Sequence, residues 1–182
     1  MKKIDYLLQG ERIRQAKKFI VGDSLLDIGC HFGELFESIL KKRAISGDGI
    51  DGVLSKQIEK KNYTLFSGYF PQDFLLKKKY DTITLLAVLE HIPINELEEY
   101  PNLLSNYLNP KGRVIITIPS KNVDYILNIL LFFRLIHGMD LEHHQDFERS
   151  LIKDIFKKNG FILLKEKRFE FGLNILYVFE KQ

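Results

Sequence analysis

The sequence predicts an open α/β sheet with helices on both faces, and three observations carry that prediction. The segment LLDIGCHFGEL at 25–35 reads as a buried strand, a glycine-bearing turn and the start of a helix. Ile50-Asp51-Gly52 then ends a second apolar run in a carboxylate, at the distance where a βαβ unit offers an acid to ribose hydroxyls. Beyond it, apolar β-branched runs alternate with helical spacings to the end of the chain.

Each element follows from local pattern. Residues 6–20 place Leu8, Ile13, Ala16, Phe19 and Ile20 on one helix face, with Gly22-Asp23 as the turn before strand one. After the glycine turn, Leu35, Phe36, Ile39 and Leu40 share one side of a helix that stops in Lys41-Lys42-Arg43, before Ser46-Gly47-Asp48-Gly49. Strand two is then short. Strand three covers 63–66, and strand four is the β-branched run 82–86, of the kind buried on both faces of a parallel sheet. Asn95 and Glu98 read as an N-cap and its capping-box partner for a helix whose inward face is Leu97, Tyr100, Leu104, Tyr107 and Leu108. Asn109-Pro110-Lys111-Gly112 ends that helix, and strand five covers 113–118. A helix before Gly160 packs through Leu151, Ile152, Ile155 and Phe156, and strands at 161–165 and 175–179 close the chain as an antiparallel hairpin.

Composition bounds the function classes. The chain has 182 residues, 45% apolar and 12% aromatic, enough for one core without covalent staples. Its single cysteine, Cys30, excludes an intramolecular disulfide framework, and the opening MKKID has no apolar secretion core, so a reducing cytoplasm is expected. The net charge of +3 is modest. Lysine clusters fall at helix ends and in loops, where they complement the helix dipole, and no basic arm or aromatic-basic stripe supports a nucleic-acid partner.

The first turn also restricts the ligand. A dinucleotide fingerprint would read G-x-G-x-x-G, whereas His31 fills the middle position, and Asp27 would face an incoming pyrophosphate with like charge. An acid there suits a ligand with an ammonium or sulfonium group.

On these residues the whole chain resembles the class I methyltransferases that use S-adenosylmethionine. Four pieces carry the resemblance: LLDIGCHFGEL, the acid of GID, YDTITLLAVLEHI with its Glu90-His91 ending, and LNPKGRVIITIPS. It implies a single Rossmann-like, doubly wound domain over residues 1–182, with a seven-stranded sheet in the order 3-2-1-4-5-7-6, strand 7 antiparallel. It also implies residue roles. Gly29, Cys30 and Gly33 let the backbone pass close to the methionine moiety, and Asp27 accepts from its ammonium group. Asp51, followed by Gly52, takes both ribose hydroxyls. Gly68, Tyr69 and Phe70 lie near adenine, and the carbonyls of Leu85, Leu86 and Ala87 face the sulfonium. Two departures stand out: either the turn at His31 needs no positive φ or its imidazole edges the pocket, and Tyr69 stands where many relatives have an acid.

Methyl transfer needs a base only for a weakly acidic acceptor such as a hydroxyl. His143 and His144 are candidates in the segment EHHQDF, with a neutral cap or a packed lid residue as the competing role. His91 is a third candidate, with loop organisation as its alternative. No metal is expected, because the Glu142, His143, His144 and Asp146 group lacks well-separated acids and an i, i+4 histidine pair.

The insertion at about 121–146 bears on the acceptor. Its segment 125–136 is apolar on nearly all sides yet only about twelve residues long, against about 18 for a bilayer span, so no transmembrane segment is expected. A lid or substrate-pocket helix is the preferred reading, with a homodimer surface and a membrane-surface helix for a lipid-linked acceptor as alternatives. The position after strand four reads Leu86-Ala87-Val88-Leu89 rather than the Asn-Pro-Pro-Tyr of base N-methylating relatives, which disfavours base N-methylation; a small-molecule acceptor methylated on oxygen is expected, with nitrogen and carbon as the alternatives. A non-catalytic S-adenosylmethionine-binding protein and a nicotinamide-dependent oxidoreductase are the rival readings.

Overall fold

The computed structural model describes residues 3–120 and 149–182; the 121–146 insertion, with His143 and His144, lies outside the described residues. The described helices are α1 (Lys3–Ala16), α2 (Glu34–Leu40), α3 (Ile94–Leu97), α4 (Tyr100–Asn106) and α5 (Arg149–Lys158). The strands are β1 (Ser24–Ile28), β2 (Ser46–Asp51), β3 (Ile58–Glu59), β4 (Tyr63–Ser67), β5 (Tyr80–Leu86), β6 (Leu108–Pro119), β7 (Phe161–Phe169) and β8 (Asn174–Lys181).

The eight strands among the described residues form one sheet in the order β3-β4-β2-β1-β5-β6-β8-β7. The expected count of seven is therefore corrected. The extra strand β3 pairs antiparallel with β4 through Ile58↔Leu65 and Glu59↔Thr64 and moves the sheet edge outward. β1 is central, with parallel partners β2 and β5, and β8 runs antiparallel to both β6 and β7.

Alternation along the buried strands divides the core. Leu26, Ile83, Val114 and Ile116 pack on one face against Leu97, Tyr100 and Leu104 and against Ile152 and Phe156 of α5. Leu25, Leu65, Ile115 and Val178 pack on the other against Ile13 and Ala16 of α1 and Leu35, Phe36 and Ile39 of α2. Successive strand residues point to opposite faces, so a sheet covered on both sides needs apolar residues at nearly every position.

Four local expectations are corrected. α1 stops at Ala16, and turn bonds from Lys17 N to Ile13 O and Phe19 N to Ala16 O lead the chain to the buried Ile20. Ser46 to Gly49 belong to β2, because Gly47 and Gly49 cross where a side chain has no room. A Cβ on Gly47 would lie 2.0 Å from the Leu25 carbonyl oxygen, and one on Gly49 would lie 2.7 Å from the Cys30 sulfur. The single helix expected from Asn95 is split into α3 and α4, with Pro93 and Glu99 at the N-cap positions. Pro101 explains the break, since a residue without an N–H is tolerated at a helix start and not inside one. Finally, Asn109 to Gly112 form an irregularity within β6, between the pairs Tyr80↔Leu108 and Thr82↔Arg113, with Lys111 at φ 61°.

Two glycines give opposite expectations in urea unfolding. Gly10, inside α1 with nothing within 4 Å of a built Cβ, should gain about 0.5–1 kcal/mol on Gly10→Ala. Gly47→Ala should lose about 1–3 kcal/mol or more, because the obstructing atom is backbone. Equal effects would refute this account of β2.

Candidate active site

The carboxyl ends of β1, β2, β4 and β5 meet at one edge of the sheet, which is where an open α/β sheet leaves a crevice. After β1 the chain turns through left-handed backbone at every second residue: Gly29 at φ 74°, His31 at φ 49° and Gly33 at φ 89°. Gly29 N and Cys30 N both donate to the Ile50 carbonyl, at 2.9 and 3.3 Å, which folds the loop over the end of β2. A Cβ on Gly29 would lie 2.4 Å from Val88 Cγ2, so the glycine also admits the loop that follows β5.

Asp51 fixes this arrangement. One carboxylate oxygen accepts from His31 N at 2.7 Å, and the other accepts from Val53 N at 2.9 Å. Glu34, in the first turn of α2, holds the loop from the other side through His31 Nδ1 at 2.7 Å and Phe32 N at 3.1 Å. The turn therefore does use positive φ at His31, and the imidazole also lines the pocket. Of the two sequence alternatives, a turn without positive φ is corrected, and the imidazole at the pocket is the one the structure places there.

Asp27 lies beneath the loop and is buried at 3% exposure. Burial pushes its carboxyl up to about 7, opposed by the Thr84 hydroxyl that donates at 2.6 Å and reinforced by the nearby Asp51 and Glu34 charges. At neutral pH this acid is poised between its two forms.

Two cavities open around these groups. The first, of about 350 Å³, runs from Gln9 and Arg12 of α1 past Asp27, Gly29, Cys30, His31 and Glu34 to Leu86 and Ala87. The second, of about 630 Å³, is walled by Gly52, Gly68, Tyr69, Phe70, Gln72, Asp73, Val88, His91, Ile92, Glu96 and Tyr100. Gly29, Asp51 and Ala87 line both, so the two meet at the tip of β2.

Most of the expected binding residues are thus brought together around the two cavities, and Leu85 and Gly33 lie outside both. Leu85 is fully buried among Ile28 and Ile116 and lines neither cavity. Gly33 lines neither as well; it is the N-cap of α2, and a Cβ there would sit 3.1 Å from the Tyr63 ring, so its role is backbone geometry and packing. Cys30 lines the first cavity, but its thiol is buried and held in the protonated form by burial, with the Asp27 and Asp51 charges adding to it.

At the far end, Tyr69 is 71% exposed and its ring covers Gly52, where a Cβ would meet it at 2.5 Å. Phe70 is buried against Phe74, Tyr100 and Tyr107. Asp73 also lines the second cavity, and its carboxylate accepts from Tyr69 N at 2.8 Å. Sequence reading missed Asp73, Glu34 and Arg12. For Arg12 a signal existed, since it lies one helical turn beyond Leu8 on the face that meets the cleft.

His91 closes a short 3-10 helix, Leu89–His91, and stands exposed on the second cavity. Among the described residues no group of three His, Cys, Asp or Glu could hold a metal ion, and no helix is long and apolar enough to cross a membrane.

Comparison with known proteins agrees with this geometry. A family model described as a methyltransferase domain matches residues 2–166. The fold is similar to that of the cyclopropane synthase MmaA2 from Mycobacterium tuberculosis, with a TM-score of 0.70 at 13% identity over 95% of this chain and 84% of that one. It is similar to the N-methyltransferase NodS from Bradyrhizobium japonicum, with a TM-score of 0.64 at 13% identity over 97% and 98% of the two chains. It is also similar to magnesium protoporphyrin IX methyltransferase from Synechocystis, solved with bound SAH, with a TM-score of 0.63 at 18% identity over 97% and 83%. Comparison with curated protein sequences found no match. The named activities differ, so the shared fold serves more than one acceptor.

The Asp27 carboxyl makes stability depend on pH. Its folded value of about 7 lies above the unfolded value of about 3.9, so the folded state keeps a proton that the unfolded state releases. Its contribution is therefore greatest below about pH 4 and declines by on the order of 4 kcal/mol as pH rises to about 7. Asp27→Asn, which retains an oxygen for Thr84, should flatten that decline and raise Tm at pH 8 relative to the parent. Parallel pH profiles for the two proteins would contradict it.

Proposed function

This chain belongs to the methyltransferase-domain family, and from that premise we propose that it transfers a methyl group from S-adenosylmethionine to an oxygen of a small-molecule acceptor. The observation that carries this reading is Asp51 at the junction of the two cavities, oriented through both carboxylate oxygens. Each oxygen keeps a further lone pair, so the carboxylate is a preformed acceptor for a ribose diol.

The surrounding groups fit the rest of that cofactor. Asp27 suits the ammonium of the methionine moiety, since a cation beside a half-ionised buried acid draws it to the charged form. Arg12, on the wall of the same cavity, suits the carboxylate. Tyr69 and Phe70 offer ring surface to adenine beyond Asp51, and Leu86 and Ala87 bound the passage between the cavities. S-adenosylmethionine, when bound, supplies a methyl carbon on a cationic sulfur that is already a good leaving group. What this chain contributes is alignment, for which about 7–11 kcal/mol is available.

In this reading the part of the second cavity that adenine leaves free receives the acceptor. Val88, Ile92 and Tyr100 favour an apolar portion, and His91 is the imidazole that the described residues place on its wall. A neutral His91 is suited to take the proton from an acceptor hydroxyl.

Thermal shift separates the competing readings: S-adenosylhomocysteine should raise Tm and NAD should leave it unchanged. Arg12→Ala should weaken S-adenosylhomocysteine binding by about tenfold or more, as loss of a charged hydrogen bond does. Calorimetry with unchanged affinity would remove Arg12 from the site. His91→Asn should lower kcat by about a hundredfold with cofactor affinity unchanged. An unaltered kcat and pH profile would assign His91 to loop structure instead.

A further inference from the structure

Lysine runs that are scattered in the sequence converge on one edge of the sheet, opposite the cleft. In a parallel α/β sheet the strands begin, and the helices between them end, at the edge away from the ligand crevice. Lys17-Lys18 follow α1, and Lys41-Lys42-Arg43 join α2 to β2. Lys60-Lys61 precede β4, and Lys77-Lys78-Lys79 precede β5. Lys157-Lys158 stand just before β7, which runs parallel to β6 because both oppose β8; Lys181, at the end of β8, reaches the same edge. All of these are exposed except Lys17 and Lys181, which are half-buried.

Carboxylates offset this charge only in part: Glu11 pairs with Arg14, and Asp23 and Asp81 stand where β1 and β5 begin. Among the described residues, the ion pair made by these lysine runs is Lys78 with Asp48 at 2.8 Å. Asp81, on the same edge, is turned to Ser24 and Asn109. The cations instead act on one another. The Lys17 ammonium is held below its ordinary range by burial and then by Lys42 and Lys41, and that of Lys181 by burial and then by Lys79. Arg14, Lys17, Lys18, Lys42 and Arg43 surround a groove of about 330 Å³ floored by the buried Ile20 and Ile39.

The chemistry of this face selects among polyanions. The exposed rings Tyr6, Phe32, Tyr69 and Phe171 all belong to the cleft edge, while Tyr107, beside Lys77 to Lys79, is half-buried with its ring packed on Phe70 and Phe74 rather than open for base stacking. Its charges are mostly lysine, a point charge without the planar fork that reads bases. They are spread from β4 to β7, roughly 30 Å at about 4.8 Å per strand, as a broad face rather than a track for one strand. We propose that this edge docks on an anionic lipid bilayer, leaving the cleft open to solution on the opposite side.

Vesicle co-sedimentation of the full chain tests this without reference to activity. Vesicles of phosphatidylcholine with phosphatidylglycerol should bind it, pure phosphatidylcholine should not, and high salt should release it. Lys41→Glu with Lys42→Glu, and separately Lys157→Glu with Lys158→Glu, should each weaken binding by about tenfold or more. Lys56→Glu, in the exposed loop at the cleft edge, should leave binding unchanged, and circular dichroism should be the same for all three variants. An equal loss in the Lys56 variant overturns the proposal. So does equal binding to neutral vesicles, or binding of an RNA or DNA oligonucleotide through these lysines without binding of the anionic vesicles.

Discussion

The hydrogen bond from the His31 amide to the Asp51 carboxylate joins the ends of two neighbouring strands, and the remaining geometry of the cleft follows from it. It holds left-handed backbone at a residue with a Cβ, a conformation that costs energy unless the surroundings fix it. Glu34 supplies the second hold through the imidazole and the Phe32 amide. With the loop so fixed, Gly29 lies against Val88, and both cavities form with Asp51 between them.

Sheet polarity explains the electrostatics of the whole molecule. Asp27, Asp51 and Glu34 gather at the carboxyl ends of the strands, while the lysine runs collect where strands begin and helices end. A modest net charge of +3 thus conceals two edges of opposite character. At the acidic edge, close packing of carboxylates under low solvent access makes Asp27 responsive to a cation.

Much of this was legible in the chain. The strand, glycine turn and helix at 25–35, the acid at Asp51, the buried run of β5 and the terminal hairpin are local patterns, and local periodicity reports them well. Where reading failed, a distant contact decided. Gly47 and Gly49 looked like loop glycines because the Leu25 carbonyl and Cys30 sulfur that exclude their side chains lie elsewhere in sequence. Leu85 and Gly33 belong to the right segments but lie outside both cavities, and Asp73 reaches the Tyr69 amide from four residues downstream.

The amino-acid sequence by itself determined the class of fold, the cleft-forming turn and its two acids, because glycine placement, hydrophobic period and charge act over a few residues. Tertiary structure alone decided that Arg12 shares a cavity with Asp27, that β3 extends the sheet, that burial carries the Asp27 carboxyl toward neutrality, and that separate lysine runs form one face. Each of these depends on which surfaces lie beside each other and how much water remains between them, a property of the packed chain that no short window of sequence contains.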